Sequence, residues 1–199
     1  LGERAGVALP QTSMSEEDRK ERGIRDRLLE INKIAATYYY RQLRSENGKA
    51  GLDYLKKREL SDSTINSFGL GYATQSTGNL YKLLKDKGYD DDIMKESGLF
   101  TYERGIHEKF WNRVIFPIMD INNKVIGFGG RVMGDAKPKY LNSPETRLFD
   151  KSRNLYGLNI ARTSRKPNMI ICEGYMDVIS MHQAGFNQAG SAPRHALTP

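Results

Sequence analysis

The sequence predicts an α/β or α+β protein, and three observations carry that prediction. A helical apolar period runs through the first half, residues 113–132 have the character of a β-hairpin, and residues 169–185 pass from a short apolar strand into a helix. At 199 residues, 38% hydrophobic and 28% charged, with 19 glycines, the chain can bury the core of one or two domains.

The first element extends from Ser13 to about Arg44. Ser13 followed by Glu16 has capping-box spacing, and Ile24, Leu28, Ile31 and Ala35 recur at helical intervals, with Gly23 the point open to interruption. Tyr38, Tyr39 and Tyr40 must face different directions on this helix, so some pack inward and at least one stays accessible. Shorter helices are expected around 50–57, after Ser61 in SDSTINSFG, and through NLYKLLKDKG and DDDIMKESG, each closing near a glycine. The aspartates at 90–92 sit at a helix start, where negative charge complements the dipole; a metal site is the alternative.

The second half changes period. In 113-RVIFPIMDINNKVIGFGGRV-132, two runs rich in Val, Ile and Phe flank a polar turn at 120–124, and Pro117 marks the first strand as an edge or as interrupted. Gly129 and Gly130, just before Arg131, would let the backbone approach another chain or a phosphate that the arginine then binds; a bulge bearing a surface arginine is the other reading. The segment 137-KPKYLNSPETRLFDKSRNLYGL-158 interleaves cations with Tyr140, Asn142, Ser143, Phe149 and Tyr156. A single nucleic-acid strand uses this mixture of charge, flat faces and small donors, and ordinary loops contain the same residue types.

The stretch 170-IICEGYMDVISMHQAG-185 closes the series. Met169 to Cys172 reads as a strand buried on both faces of a parallel sheet, Glu173 falls at its carboxyl end, Gly174 permits a tight turn, and a helix runs from about Tyr175 to Ala184 until Gly185 stops it. Ligands of open α/β sheets gather beyond the carboxyl ends of strands, which directs Glu173 into a crevice. Asp177 could bind the same ion or cap the helix, and a hard divalent cation would need further oxygens. His107 reads as a loop or packing residue, His182 as exposed, and Met176 and Met181 as core fillers.

Composition excludes several classes. No apolar run approaches the roughly 20 residues that cross a bilayer, and LGERAGVALP lacks signal-peptide layout, which points to a cytoplasmic protein with no membrane partner. One cysteine forbids an internal disulfide, and with three scattered histidines it makes no zinc set. The net charge of +7 is regional: residues 103–166 hold 13 Lys/Arg against 6 Asp/Glu, and the remainder holds 18 of each sign. Such a balance suits a surface facing a polyanion, or a solvated basic face.

The ordered strings NRVIFPIMD, VIGFGGRV, PKYLNSPET, LFDKSRNLYGL and EGYMDVIS resemble successive motifs of bacterial DnaG-type DNA primases, the last being the first motif of the Toprim domain. Upstream, 54-YLKKRELSDSTINSFGLGYA-73 resembles a primase segment that carries a basic residue, and LGERAGVALP resembles the linker after a primase zinc module. GFGGR with PKYLNSPET is highly specific, whereas EGYMDV is shared by Toprim proteins generally. The resemblance implies a linker over 1–13 after an absent zinc module and a helical, mixed-sheet N-terminal primase-core subdomain over 14–165. It implies the first βα unit of a Rossmann-like Toprim domain, cut short, over 166–199.

The implied reaction is synthesis of short RNA primers from ribonucleoside triphosphates on a single-stranded DNA template during replication, with Mg²⁺ or Mn²⁺ at the Toprim acids and Zn²⁺ only in the absent module. Glu173 matches the Toprim glutamate, expected to bind metal or act in acid–base chemistry, and Asp177 matches a recurrent acid of the same motif. Arg58, Arg131, Lys139 and Lys151 match basic positions expected to hold template, nucleotide or nascent primer; Asn142 and Ser143 lie in the same lining, with Arg113 and Tyr140 as further candidates. The replicative helicase would be engaged through a region beyond this chain, in the bacterial cytoplasm at the replication fork.

Two departures qualify this picture. Toprim chemistry uses a second, Asp-x-Asp motif that is not reached by Pro199, so an incomplete metal cage is expected, and with it a chain that binds nucleic acid weakly and makes no primers alone. At 190-GSAPRH-195, proline and charge replace an apolar strand, through divergence or a slip of frame in the underlying sequence, and no stable strand is expected there. Two other readings stay open: a non-catalytic module for single-stranded nucleic acid in which Glu173 is a helix-entry residue, and another Toprim enzyme, a topoisomerase or nuclease.

Overall fold

The computed structural model describes residues 15–191; the expected linker at 1–13, the cap candidate Ser13 and the segment 192–199 lie outside the described residues. Ser15 caps helix α1 (Glu16–Leu43): its Oγ accepts the Asp18 N–H at 3.0 Å, and the Asp18 carboxylate accepts the Ser15 N–H at 3.2 Å. Capping at Ser15 puts Glu16, Glu17 and Asp18 in the first turn, where they complement the dipole. The helix passes Gly23 without interruption and buries Leu28, Ile31, Ala35, Tyr39 and Leu43 as one stripe. Each buried Leu or Ile contributes roughly 1.5–3 kcal/mol relative to exposure. Of the three neighbouring tyrosines, Tyr39 is buried and Tyr38 and Tyr40 are partly exposed.

Helices α2 (Lys49–Lys57) and α3 (Asp62–Ser67) follow. The turn between them differs from expectation: α2 closes without a glycine, and Glu59 takes φ 61° directly after Arg58. Ser61 Oγ caps α3 by accepting the Thr64 N–H at 3.1 Å. Strand β1 (Gly71–Ala73) leads to α4 (Asn79–Asp86) and α5 (Asp91–Glu96), each of which does end at a glycine of positive φ, Gly88 and Gly98. Asp90 caps α5 through the Ile93 N–H at 2.9 Å and Asp91 pairs with Lys85 at 3.1 Å, so both are structural, and no metal-binding cluster forms among the described residues. The short pair β2 (Phe100–Thr101) and β3 (His107–Glu108) is antiparallel.

The hairpin forms as expected from β4 (Arg113–Met119) and β5 (Val125–Val132); with β6 (Tyr140–Asn142) they make an antiparallel sheet in the order β1-β4-β5-β6. Strand β1 reaches only residues 113–115 of β4, so Pro117, matched with Phe128 alone, lies where its missing donor has no second neighbour to disappoint. One face of the sheet packs on α1 through Tyr39 and Phe128, whose rings stand edge-on at 5.7 Å. Alternation along the pleat sends Gly129 and Arg131 to the other face.

That second face receives the last unit: α6 (Leu158–Ala161), β7 (Ile170–Cys172), α7 (Tyr175–Gln183) and β8 (Ala189–Ser191), with β7 and β8 parallel. Three expectations are corrected here. Strand β7 is not buried on both faces: Ile171 is 54% exposed, because no described element covers that side. A strand does form at 189–191, where Ala189, Gly190 and Ser191 pair with Ile170, Ile171 and Cys172 and Tyr156 and Ser191 exchange backbone hydrogen bonds of 2.8 and 3.1 Å on its other edge, while the rest of 190–195 lies outside the described residues. His182 is also not exposed; it is half-buried, with Nε2 2.8 Å from the Ala189 carbonyl oxygen and its ring 5.2 Å from Phe68. The whole is an α+β fold.

Candidate functional site

Where the β7–α7 unit meets the sheet, a cleft of about 220 Å³ opens, with Glu173, Asp177 and Met176 on one side and Arg58, Lys139, Tyr140 and Asn142 on the other. Glu173 leaves the end of β7 and Asp177 lies in the first turn of α7; both side chains are exposed. Gly174 between them is not needed for the turn, since its φ of −153° is extended backbone and an added Cβ would stand an ordinary 3.5 Å from Asp177 Oδ2. No side chain caps α7, so its first N–H groups stay open to an anion.

The two glycines of GFGG serve a different end from the one expected. A Cβ on Gly129 would lie 2.4 Å from Tyr175 Cε2, and one on Gly130 would lie 2.7 Å from Phe110 on the opposite face. They admit aromatic rings, not a phosphate. The Tyr175 ring stacks on Phe116 at 5.2 Å, packs against Tyr156 at 4.7 Å, and donates its hydroxyl proton to Asn142 Oδ1 at 2.8 Å. The residue after the Glu173–Gly174 pair is thus the plug that seats the acidic unit on the sheet, and burial pushes its phenol far above the ordinary range.

The cationic side is arranged around Tyr54. Its ring lies 4.2 Å from the Arg131 guanidinium and 5.5 Å from that of Arg58, one helical turn on. Arg131 itself does not line the cleft; it is the cross-strand neighbour of Tyr140, whose hydroxyl burial pushes up while the Arg131 and Arg58 charges pull it down. Lys139 is exposed at the rim, on a loop braced from beneath. That brace is Arg113, which is corrected from ligand contact to support: it is 6% exposed and donates to the carbonyl oxygens of Gly130 and Pro138 at 3.3 and 3.0 Å, on the face of the sheet away from Arg131.

Ser143 is corrected in the same way. It is 1% exposed, and its Oγ accepts the Phe128 N–H at 3.0 Å, so it closes the sheet. Lys151 lies outside the cleft, close enough to Lys109 to help burial depress that amine. Part of the regional charge is offset by ion pairs on the surface of the fold, Arg147 pairing with Glu21 and Glu96. Of the ten residues anticipated, the cleft joins Arg58, Lys139, Tyr140, Asn142, Glu173 and Asp177. Sequence reasoning missed Tyr54, Tyr175 and Ser191; the four-residue spacing of Tyr54 and Arg58 on a helix was a usable signal for the first. The buried Ser191 Oγ has no hydrogen-bond partner among the described residues, and nothing in the sequence marked it.

The sequence model of the DNA primase catalytic core, N-terminal domain, matches residues 38–162. The chain belongs to the DNA primase catalytic core family. It is 47% identical to the DNA primase of Clostridium acetobutylicum over 87% of its own length and 29% of that protein's, and 44% identical to the DNA primase of Deinococcus radiodurans, covering 34% of it. The chain therefore spans about a third of these relatives. Among solved structures it superposes on the RNA polymerase domain of Mycobacterium tuberculosis primase DnaG with a TM-score of 0.83 at 32% identity, covering 88% of this chain and 59% of that one. A DnaG primase catalytic domain bound to ssDNA gives 0.80 at 37%, with 86% and 56% covered. The fold is thus that of primase catalytic cores, as the resemblance implied.

For a divalent cation the cleft supplies two exposed carboxylates, and no group of three or more acid, His or Cys side chains converges among the described residues. Mg²⁺ is commonly held by one or two carboxylates with substrate phosphates and water, so Glu173 and Asp177 fit part of such a set.

Proposed function

We propose that this chain carries the heart of a primase that makes short RNA primers from ribonucleoside triphosphates on single-stranded DNA. Residues 14–165 would form its N-terminal subdomain and 166–199 the opening of its Toprim domain. The observation that carries this reading is the shared cleft, which sets Glu173 and Asp177 across from Arg58 and Lys139. Cations on the sheet side would hold the backbone of template or primer and the nucleotide phosphates, with Tyr140 and Asn142 offering a flat face and an amide. The bound DNA of similar primase structures supports that assignment.

Glu173, with Asp177 beside it, would hold Mg²⁺ or Mn²⁺, and such an ion supplies charge stabilisation to the transferring phosphoryl group. The remaining oxygens would come from substrate, water and acids beyond the described residues, and the helicase and zinc functions of the family would also lie elsewhere. A cytoplasmic location fits; no helix among the described residues is long and apolar enough to cross a membrane.

The test is primer synthesis by full-length protein carrying Glu173→Gln. The rate is expected to fall ~10²-fold or more, with affinity for single-stranded DNA within about twofold of wild type. A rate unchanged by Glu173→Gln would remove the chemistry from this cleft, and DNA affinity kept with no change in its Mg²⁺ or Mn²⁺ dependence would then support the non-catalytic binding module.

A further inference from the structure

The acidic helix is also tied to the cationic wall at its far end. Gln183, the last residue of α7, sends its amide to the turn between α2 and α3: Oε1 accepts the Ser61 N–H at 2.8 Å, and Nε2 donates to the Glu59 carbonyl oxygen at 2.8 Å. One side chain thus meets a donor and an acceptor of the same turn, which the fork of an amide suits. The turn carries Arg58, which lines the same cleft as Glu173.

The turn closes on its own backbone, Glu59 N–H to the Lys56 carbonyl oxygen at 2.8 Å and Leu60 N–H to that of Leu55 at 3.2 Å, and the Gln183 amide ties it to α7 from outside. Glu59 sits at φ 61°, a conformation that a side chain disfavours and that persists where its surroundings over-determine it. Arg58 is exposed and has no ion pair among the described residues; its guanidinium lies 5.5 Å from the Tyr54 ring. Apolar packing fixes the neighbouring helix: Phe68, at the end of α3, stacks on Tyr156 at 6.0 Å and meets His182 edge-on. Packing therefore settles where α3 lies on α7, and the Gln183 amide ties the turn that carries Arg58 to the end of α7.

We propose that Gln183 is a positioning residue that sets the span of the cleft, by binding the Arg58 turn to the helix whose opposite end carries Glu173 and Asp177. It does not line the cleft and carries no charge, so any effect on a bound strand passes through Arg58. This inference rests on the reading of the cleft as a single-strand site.

The test is a double-mutant cycle on the salt dependence of affinity for labelled oligothymidylate, read by fluorescence anisotropy with wild type, Arg58→Ala, Gln183→Ala and the double variant. For a single strand the slope of log affinity against log salt changes by about 0.7 for each phosphate that is no longer neutralised. Arg58→Ala is expected to lose about that much slope and about tenfold in affinity at low salt. Gln183→Ala replaces one neutral group by another, yet is expected to lose part of the same slope and about threefold in affinity. The double variant is expected to bind like Arg58→Ala alone. Gln183→Leu keeps the volume without polar atoms and should match Gln183→Ala; it carries the test if the smaller residue disturbs folding. Wild-type slope in both Gln183 variants, or losses that add in the double variant, would overturn the clamp while leaving the cleft reading intact. A wild-type slope in Arg58→Ala would overturn both.

Discussion

The cationic wall of the cleft rests on a sheet in which Val114, Ile115, Phe116 and Phe128 are fully buried, whereas the acidic wall rests on two short strands in which Ile171 is 54% exposed. The first is held by the common core that α1 covers. The second reaches the same core through Tyr156, Tyr175, Val178 and Ile179, and is further docked by the Tyr175 ring over Gly129, the Tyr156–Ser191 backbone pair and the Gln183 amide. The difference teaches that polar ties outside the core, such as the Gln183 amide and the Tyr175 hydroxyl, can adjust the cleft with little change in overall stability, whereas the buried rings serve both.

The largest expected effect breaks the well-buried side. Phe128→Ala removes a ring that touches both Tyr39 and Phe110 and should destabilise the chain by about 3–5 kcal/mol in denaturant unfolding, with loss of every binding function. A loss below about 1 kcal/mol would show that α1 and the sheet do not share one core.

The second effect strikes the docking interaction itself. In Gly129→Ala the new methyl would lie 2.4 Å from Tyr175 Cε2 and 2.9 Å from its hydroxyl oxygen, and the ring, fixed between Phe116 and Tyr156, cannot yield cheaply. Overpacking of this kind costs about 1–3 kcal/mol. Because the strain falls between the two walls, single-strand affinity should drop further than the same loss of stability causes elsewhere, compared by anisotropy and melting on one preparation. Wild-type affinity in a destabilised Gly129→Ala would remove the docking role from Tyr175.

How much of this was legible in the sequence follows from the range of the interactions. The α1 stripe and the β4–β5 hairpin were readable because apolar period and turn residues are local signals, and Glu173 because strand, acid and helix are contiguous. Arg113 and Ser143 were misplaced because a polar side chain satisfied by backbone carbonyl or N–H groups looks, in sequence, like one that waits for a ligand. The glycines 129 and 130 were recognised as places of close approach, but what approaches is decided by Tyr175, more than 40 residues after Gly129, and by Phe110, 20 residues before Gly130. Gln183 could not be found at all: its partners are backbone groups at positions 59 and 61, which carry no side-chain signature. The site was therefore half visible, and the invisible half is the part that joins the walls.

The smallest expected effect separates the ring of Tyr175 from its hydroxyl. Tyr175→Phe keeps the stack on Phe116 and the edge-on packing with Tyr156, and deletes only the 2.8 Å donation to Asn142 Oδ1. A net hydrogen bond of this type contributes about 0.5–1.5 kcal/mol, and Asn142 is partly exposed, so water can replace the lost donor and the low end is expected. For a chain of this size that corresponds to a melting shift of about 1–3 °C. Asn142 lines the cleft, so its release should weaken single-strand affinity by about twofold, more than stability alone accounts for. Should Tyr175→Phe instead destabilise as strongly as Gly129→Ala, the walls are latched by a polar interaction, and the contrast between a packed side and a docked side must be redrawn with Asn142 as the hinge.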